Sequence, residues 1–130
     1  MSQDRQIKIV KELYAALPAG DWDAYKNHTH AEFRVVESES LPYAGVFHGM
    51  DGFMQLIEKV FGMFSEFDAQ PNTFAAGGNM VMVEVNIKMT GRASGNSIHT
   101  QLIEVFKFEG DKVIEICPFY FNTDLVNSII

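Results

Sequence analysis

Two glutamates lie in predicted strands among apolar residues, and they are the main candidates for chemistry in this sequence. Side chains alternate between the two faces of a strand. Glu104 therefore shares a face with Leu102 and Phe106, and Glu37 lies on an apolar face of a second alternating segment, residues 33–38. Burying an unpaired carboxylate is costly, so either the sheet opens into a pocket there or the carboxylates have dedicated partners. Two carboxyl groups with different pKa values in one dry pocket can serve as general acid and general base.

The other reactive side chains do not complete a recognisable site. His28, His30 and Glu32 form an H-x-H-x-E pattern that invites a zinc site. That pattern straddles a predicted helix end, and no third ligand is in clear register, so we predict no metal. Cys117 has no patterned histidine or acid beside it and is interpreted as a packing residue. His99 lies on the strand face opposite Glu104, which favours a place on the outer side of the sheet.

Composition narrows the class of protein. A length of 130 residues fits a single domain over residues 1–130. Ten basic residues against 17 acidic ones give a net charge of −7, which disfavours nucleic acid and anionic membranes as partners. A hydrophobic fraction of 47%, with 11 Phe and 7 Met, suggests a dimer interface or an apolar ligand cavity. The single cysteine, with neither a signal peptide nor a membrane span predicted, indicates the cytoplasm.

Helical spacing of apolar residues predicts three helices ahead of most of the strands. The first spans residues 4–17 with Asp4 as its N-cap, the second runs from the Asp21 cap to about His28, and the third follows the Asp51 cap. The apolar stripe of the third helix is predicted to comprise Phe53, Leu56, Ile57, Val60, Phe61 and Phe64.

Much of the remaining chain alternates as strands separated by glycine-containing turns. Pro71 places one of these strands at a sheet edge. Residues 39–49 are interpreted as a loop because of their Pro and Gly content, and the tail 123–130 is expected to pack its apolar residues against the rest. Helices first and strands afterwards indicate an α+β fold with a mostly antiparallel sheet. Strands are predicted over residues 33–38, 67–76, 80–90, 97–108 and 113–122.

The order of these elements and four short motifs resemble the SnoaL-like and ketosteroid-isomerase-like branch of the nuclear transport factor 2-like superfamily. The motifs are AGDWDAY at 19–25, EFRVVES at 32–38, PYAGVFHGMDGF at 42–53 and EVFKFEGDKVIEICPFYFNT at 104–123. The resemblance covers nearly the whole chain. It implies a cystatin-like cone, in which three N-terminal helices pack on a strongly curved sheet around an apolar pocket. It also implies a homodimer formed through the outer sheet face.

The resemblance assigns roles to three residues. Ketosteroid isomerases carry a carboxylate base on the strand after the second helix, an acid on the strand before the final turn, and a tyrosine on the first helix. The matching positions here are Glu37, Glu104 and Tyr14. Both acids are Glu where the family typically has Asp, which makes each side chain one methylene longer. On this resemblance, Glu37 moves a proton at a carbon next to a carbonyl, while Glu104 and Tyr14 stabilise the enolate oxygen.

The implied function is an isomerase, cyclase or dehydratase reaction on a small, apolar carbonyl compound, with no cofactor and no metal. The substrate-binding residues are expected to be apolar or aromatic, and comprise Trp22, Phe33, Val35, Tyr43, Phe53, Phe61, Phe106, Ile116 and Tyr120.

Two alternatives remain open at the level of sequence. The glutamates can instead be strand-end or dimer-contact charges paired with Arg34, Lys88 or Arg92. The same fold also serves non-catalytic ligand-binding and protein-assembly modules, and an interior filled by Phe and Met side chains would favour assembly.

Overall fold

Over residues 2–130, which a computed structural model describes, the chain forms four α-helices and six β-strands. Three helices precede most of the strands, so the predicted α+β class is confirmed. The elements are α1 (Gln3–Ala19), α2 (Trp22–His28), β1 (Thr29–Glu37), β2 (Gly45–His48), α3 (Gly49–Met63), β3 (Phe64–Gly77), β4 (Met80–Gly91), β5 (Ser97–Glu109), β6 (Lys112–Tyr120) and α4 (Thr123–Asn127).

Helix starts follow the capping rules, with two corrections to the predicted boundaries. The Ser2 side chain caps α1 by accepting a backbone N–H, so the predicted cap Asp4 lies inside the first turn. Asp21 caps α2 as predicted. Helix α3 begins at Gly49, ahead of the predicted cap Asp51, and has no side-chain cap. Its start is set by the end of β2, which runs directly into the helix.

The six strands form one sheet in the order β2-β1-β6-β5-β4-β3. Neighbours are antiparallel except for β1 and β6, which run parallel. Strand β3, which contains Pro71, lies at the edge as predicted. The loop prediction for residues 39–49 is wrong at Gly45–His48, which form β2 against β1. Four residues are too few to show an alternating pattern, and this strand is specified by pairing with a distant partner.

An irregularity in β3 changes which of its side chains face inward. The register between β3 and β4 shifts between Pro71 and Thr73. Phe67 and Phe74 have opposite parity in the sequence, yet each pairs with an inward-facing, fully buried residue of β4. A single extra residue in a strand produces this change of face. Both aromatic rings therefore belong to the same inner surface.

The helices cover one face of the curved sheet, and the apolar core lies between the two layers. Helix α1 packs on β3 and β4, and α3 packs on β1, β2 and β3. The bulkiest fully buried side chains, each below 2% exposed, include Tyr43, Phe33, Phe64, Phe106, Ile9 and Leu13. We call the helix-covered side of the sheet the inner face and the opposite side the outer face. Among residues 2–130, no helix is long and apolar enough to cross a membrane.

The C-terminal segment closes one end of this layer. Val126 and Ile129 are 0% and 3% exposed, whereas Leu125 and Ile130 are 36% and 49% exposed. The expectation that the apolar tail packs is therefore right for two of its four residues. Gly91 permits this packing, because a Cβ there would lie 1.6 Å from the Ile129 carbonyl oxygen.

Candidate active site

Glu37 and Glu104 lie in one row across the inner face. Glu104 on β5 is opposite Pro118 on β6. Strand β1 pairs Val35 with Ile116 of β6 in parallel, so continuing that register brings Glu37 opposite Pro118 from the other side. Adjacent strands are about 4.8 Å apart, which puts the two glutamate Cα atoms roughly 10 Å apart. Pro118 is buried between them, so the two carboxyl groups extend over a short side chain.

Tyr14 connects the first helix to this row. Its hydroxyl donates a hydrogen bond to Glu104 Oε1 over 2.5 Å. The tyrosine ring is held by edge-on contacts with Phe74 and Phe106, at centroid distances of 6.1 and 5.8 Å. Ninety positions separate Tyr14 and Glu104 in the chain, so the packing of α1 on the sheet is what brings them together.

Tyr14 and Glu104 differ in exposure from the residues around them. Both residues are only partly buried, although Leu102, Phe106 and Val83 around Glu104 are 5%, 2% and 0% exposed. Tyr14 and Glu104 are therefore less completely covered than the apolar residues around them.

Glu37 is a buried carboxyl without a compensating charge among residues 2–130. It is 8% exposed, and its Oε1 atom has no hydrogen-bond partner among residues 2–130. This arrangement contradicts the alternative in which the glutamates are paired by basic residues. Within the described chain, the three candidate cations bind elsewhere: Arg34 to Glu115, Lys88 to Glu66, and Arg92 to the backbone carbonyls of Phe61 and Phe64.

Burial and mutual repulsion set the proton affinity of the two carboxyls. Burial raises the pKa of Glu37 well above its usual value, and the negative charge of Glu104 raises it further. Burial also raises the pKa of Glu104, while the hydrogen bond from Tyr14 lowers it. Burial, followed by the charge of Glu104, raises the pKa of the Tyr14 phenol, so Tyr14 remains a proton donor. The carboxyl pair therefore binds a proton at higher pH than isolated glutamates do.

A second pair of hydroxyl groups lies next to the row. The Tyr43 hydroxyl donates to the Tyr120 hydroxyl oxygen over 2.6 Å. Tyr120 is the next inner-face residue after Pro118 on β6, opposite Leu102 of β5. Burial raises the pKa of both phenols, and the charge of Glu37 contributes to both increases. Both tyrosines were expected to bind substrate, but the hydrogen bond between them was not predicted.

The predicted apolar binding residues divide into three groups. Phe61 is a correction, because its side chain is 54% exposed. Helix α3 buries a narrower stripe that ends at Val60, and Phe61 lies one position further round the helix. Trp22 is half-buried and contacts Phe53 edge-on at 6.1 Å. The remaining residues are no more than 5% exposed and form the wall of the core; they are Phe33, Val35, Phe53, Phe106 and Ile116.

Three residues of this region were missed at the sequence level: Pro118, Phe67 and Phe74. The β3 irregularity hid the two phenylalanines. Counting back along the hairpin from the Glu109–Lys112 pair places Cys117 opposite Glu104, but a register shift after Lys107 places Pro118 there. Strand irregularities of this kind leave no periodic signal in a sequence.

The other candidate groups lie apart from the carboxyl row. His28 Nε2 contacts Glu12 Oε2 at 2.6 Å, and His30 is 3.9 Å from Glu109. Residues 2–130 contain no group of three or more His, Cys, Asp or Glu side chains suited to hold a metal ion. Cys117 is half-buried, and burial raises the pKa of its thiol, which disfavours a nucleophilic thiolate.

Two open grooves on the surface do not include these carboxyls. One, of about 420 Å³, lies on the outer face of β3, β4 and β5, and the other, of about 500 Å³, lies along α3. Neither is lined by Glu37 or Glu104.

Comparisons with known proteins agree with this architecture. A protein-family model described as a SnoaL-like domain matches residues 10–116. A nuclear transport factor 2-like protein of unknown function from Burkholderia pseudomallei is 21% identical, with a TM-score of 0.87 over 99% of this chain and 98% of the other. A candidate SnoaL-like polyketide cyclase from Jannaschia sp. CCS1 is 16% identical, with a TM-score of 0.83 over 99% and 95%.

A third similar structure is AclR, a candidate hydroxylase from Streptomyces galilaeus. It is 15% identical, with a TM-score of 0.73 over 98% of this chain and 86% of the other. Identities this low show a shared fold alone. No curated protein matches the sequence.

Proposed function

Because the chain belongs to the SnoaL-like domain family, we propose that it is an enzyme that moves a proton on a small, largely apolar carbonyl compound. An isomerase, cyclase or dehydratase reaction fits this chemistry and requires no cofactor. One observation carries the proposal: two carboxyl groups flank Pro118 on the inner face, one held by Tyr14 and the other without a partner among residues 2–130. Such a pair, in a site of low polarity, supplies general acid and base groups near neutral pH.

The proposed reaction begins with Glu37 as its carboxylate. Glu37 takes a proton from the carbon next to the substrate carbonyl; the electron pair of the broken C–H bond forms a C=C bond, and the π pair of the carbonyl moves to its oxygen. Tyr14 and the protonated carboxyl of Glu104 lie across the row from Glu37, and each donates a hydrogen bond to the enolate oxygen, Tyr14 in place of its bond to Glu104. Glu37 then returns its proton to the same carbon or to another position of the enolate. Return to the same carbon, once the Glu37 proton has exchanged with solvent, is proton exchange; return to another carbon is isomerisation, and neither consumes another reactant.

Deuterium exchange tests this proposal without knowledge of the natural substrate. A panel of small apolar ketones, 1-tetralone among them, is incubated in D₂O with wild-type protein or Glu37→Gln, and NMR measures the loss of the C–H signal. We expect the substitution to lower the exchange rate by about 100-fold or more, because it removes the base.

The matched control is Glu84→Gln, which changes an exposed glutamate on the outer face of β4. Its exchange rate is expected to equal that of the wild type. Full activity in Glu37→Gln would remove Glu37 as the base.

A non-catalytic module that binds a ligand or assembles with other proteins is the second candidate. It is favoured by the dense packing of the inner face, where Phe33, Phe53 and Phe106 are 1%, 5% and 2% exposed. This candidate predicts that the wild-type protein accelerates exchange on none of the ketones, including any that it binds.

We also propose that the protein works as a cytoplasmic homodimer that associates through the outer face of the sheet. Ile103 and Phe119 are cross-strand neighbours and are 41% and 60% exposed, and Phe121 beyond them is 78% exposed. Exposed apolar residues in a contiguous patch favour association. Sedimentation velocity is expected to show a wild-type dimer that Phe119→Asp converts to a monomer. A monomeric wild type would contradict this proposal.

A further inference from the structure

Tyr120 carries a hydroxyl proton with no acceptor in the described protein. A phenol that accepts one hydrogen bond can still donate another. Tyr120 accepts from Tyr43, and no oxygen of residues 2–130 accepts the Tyr120 proton in return. Tyr120 as a whole residue is partly buried. The Tyr120 hydroxyl is therefore an unused hydrogen-bond donor on the inner face.

Tyr43 fixes the position of that donor. It is 0% exposed and makes edge-on contacts with Phe64, Phe67 and Tyr120 at centroid distances of 6.0, 6.5 and 6.4 Å. A ring packed on several sides cannot turn its hydroxyl elsewhere without disturbing the core. Because Tyr43 donates to Tyr120, the Tyr120 proton must point away from Tyr43.

Glu37 supplies the complementary group. Its Oε1 atom is buried and has no donor among residues 2–130, and the whole residue is 8% exposed. Tyr120 lies one inner-face position beyond Pro118, so its Cα is roughly 8 Å from that of Glu37 on the neighbouring strand. An unused donor and an unused acceptor thus face the same part of the inner surface.

From this arrangement we propose that Tyr120 and Glu37 together bind a hydroxyl group of the substrate, which accepts from Tyr120 and donates to Glu37. Only a group that is both acceptor and donor satisfies both sites, and a hydroxyl is the simplest such group. The substrate class is then a hydroxy ketone, whose carbonyl is directed to Tyr14 and Glu104. The placement of the carbonyl at Tyr14 and Glu104 rests on the proposed function, but the hydroxyl site can be tested separately.

The test compares two probes that differ by one hydroxyl group: 1-tetralone and racemic 2-hydroxy-1-tetralone. Isothermal titration calorimetry measures their affinities for the wild type, Tyr120→Phe, Tyr43→Phe and the control Glu84→Gln, which lies exposed on the outer face of β4. We expect the wild type and Glu84→Gln to bind the hydroxylated probe about tenfold more tightly, which is the usual value of one buried hydrogen bond.

Tyr120→Phe is expected to abolish that preference, because it removes the hydroxyl that donates to the substrate hydroxyl. Tyr43→Phe is expected to reduce the preference, because Tyr43 acts through the position of Tyr120. Circular dichroism tests whether each variant folds. If Tyr120→Phe does not fold, the comparison of Tyr43→Phe with the wild type tests the inference.

Three results would overturn the inference. A wild type without preference for the hydroxyl is the outcome expected if water alone bridges the two groups. A preference that survives in Tyr120→Phe assigns the hydroxyl to another part of the protein. A wild type that binds neither probe has no such site. Exchange rates on 1-tetralone, measured on the same samples, report on the proposed function separately, since exchange without hydroxyl preference removes only this inference.

Discussion

Carboxyl groups on the two faces of the sheet have different surroundings, although two of them are almost equally buried. Glu115 on the outer face is 9% exposed and Glu37 on the inner face is 8% exposed. Glu115 pairs with Arg34 at 2.8 Å and with Lys107 at 3.0 Å. Glu37 pairs with no lysine or arginine of residues 2–130, and its nearest charged neighbour in the row is Glu104, another acid.

This difference separates a structural carboxylate from a pair suited to proton transfer. Glu115 joins three strands, because Arg34 lies on β1 and Lys107 on β5, on either side of β6. Its charge is compensated by fixed cations. Glu37 and Glu104 pair with no cation of the described chain, so protons are the available means of compensation, and the charge of the pair changes with pH.

The largest expected difference between the two faces is in catalysis. Glu104→Gln is expected to lower the ketone exchange rate by about 100-fold, because it removes the carboxyl that supports the enolate oxygen with Tyr14. Glu115→Gln is expected to leave the rate nearly unchanged. NMR measures both exchange rates in D₂O. An equal loss of exchange rate in Glu104→Gln and Glu115→Gln would show that the two faces do not differ in this respect.

Removal of the Tyr14 hydroxyl gives a smaller effect. Tyr14→Phe is expected to slow exchange by about tenfold, through the loss of one hydrogen bond. It also removes the interaction that lowers the pKa of Glu104, so that pKa should rise. Carboxyl ¹³C NMR titration measures the change, and a Glu104 pKa that falls or stays constant would show that the hydrogen bond has no influence on the acid.

Glu37→Gln is expected to be more stable than the wild type, by an amount that grows as pH increases. The folded state holds the Glu37 proton to higher pH than the unfolded state does, so Glu37 costs wild-type stability as pH rises from its ordinary pKa through its folded pKa. Glutamine cannot ionise, and each unit of pKa increase is worth about 1.4 kcal/mol. Thermal unfolding should give equal stabilities near pH 4 and a gain of at least about 1 kcal/mol at pH 8. A loss at pH 8 would be the opposite result.

Glu115→Gln is expected to change stability in the other direction and by the smallest amount. Its partners Arg34 and Lys107 have side chains that are 43% and 49% exposed, so solvent screens much of the attraction. We expect a loss of about 1 kcal/mol near neutral pH, measured by urea unfolding. A gain in stability would contradict this expectation, because it would show that the charge of Glu115, like that of Glu37, is not compensated.

The alternation of strand side chains was sufficient to assign faces to the two key residues. Glu37 shares its face with buried Phe33 and Val35, and Glu104 with buried Leu102 and Phe106, as predicted. The alternation of side chains between two faces is a local property of a strand. It leaves a period-two pattern of apolar residues in the sequence wherever one face is buried. The three predicted helices and five predicted strands occur in the predicted order, whereas β2 and α4 were not predicted.

Contacts between distant segments could not be predicted this way. The hydrogen bonds Tyr14–Glu104 and Tyr43–Tyr120 join residues 90 and 77 positions apart, and they depend on how whole elements pack. The pairing of Pro118 with Glu104 depends on a register shift near Lys107. Pairing between strands, rather than the pattern within them, determines these features.

The most direct test of this account is a carboxyl ¹³C NMR titration of Glu37 and Glu104, assigned with the two Gln variants. If the two acids share the inner face without cations, both should titrate above the usual range for glutamate, and Glu104→Gln should lower the pKa of Glu37 by removing the repulsion. If both carboxyls titrate at ordinary values and each ignores the loss of the other, they do not form a coupled pair, and the proposed proton-transfer site does not exist.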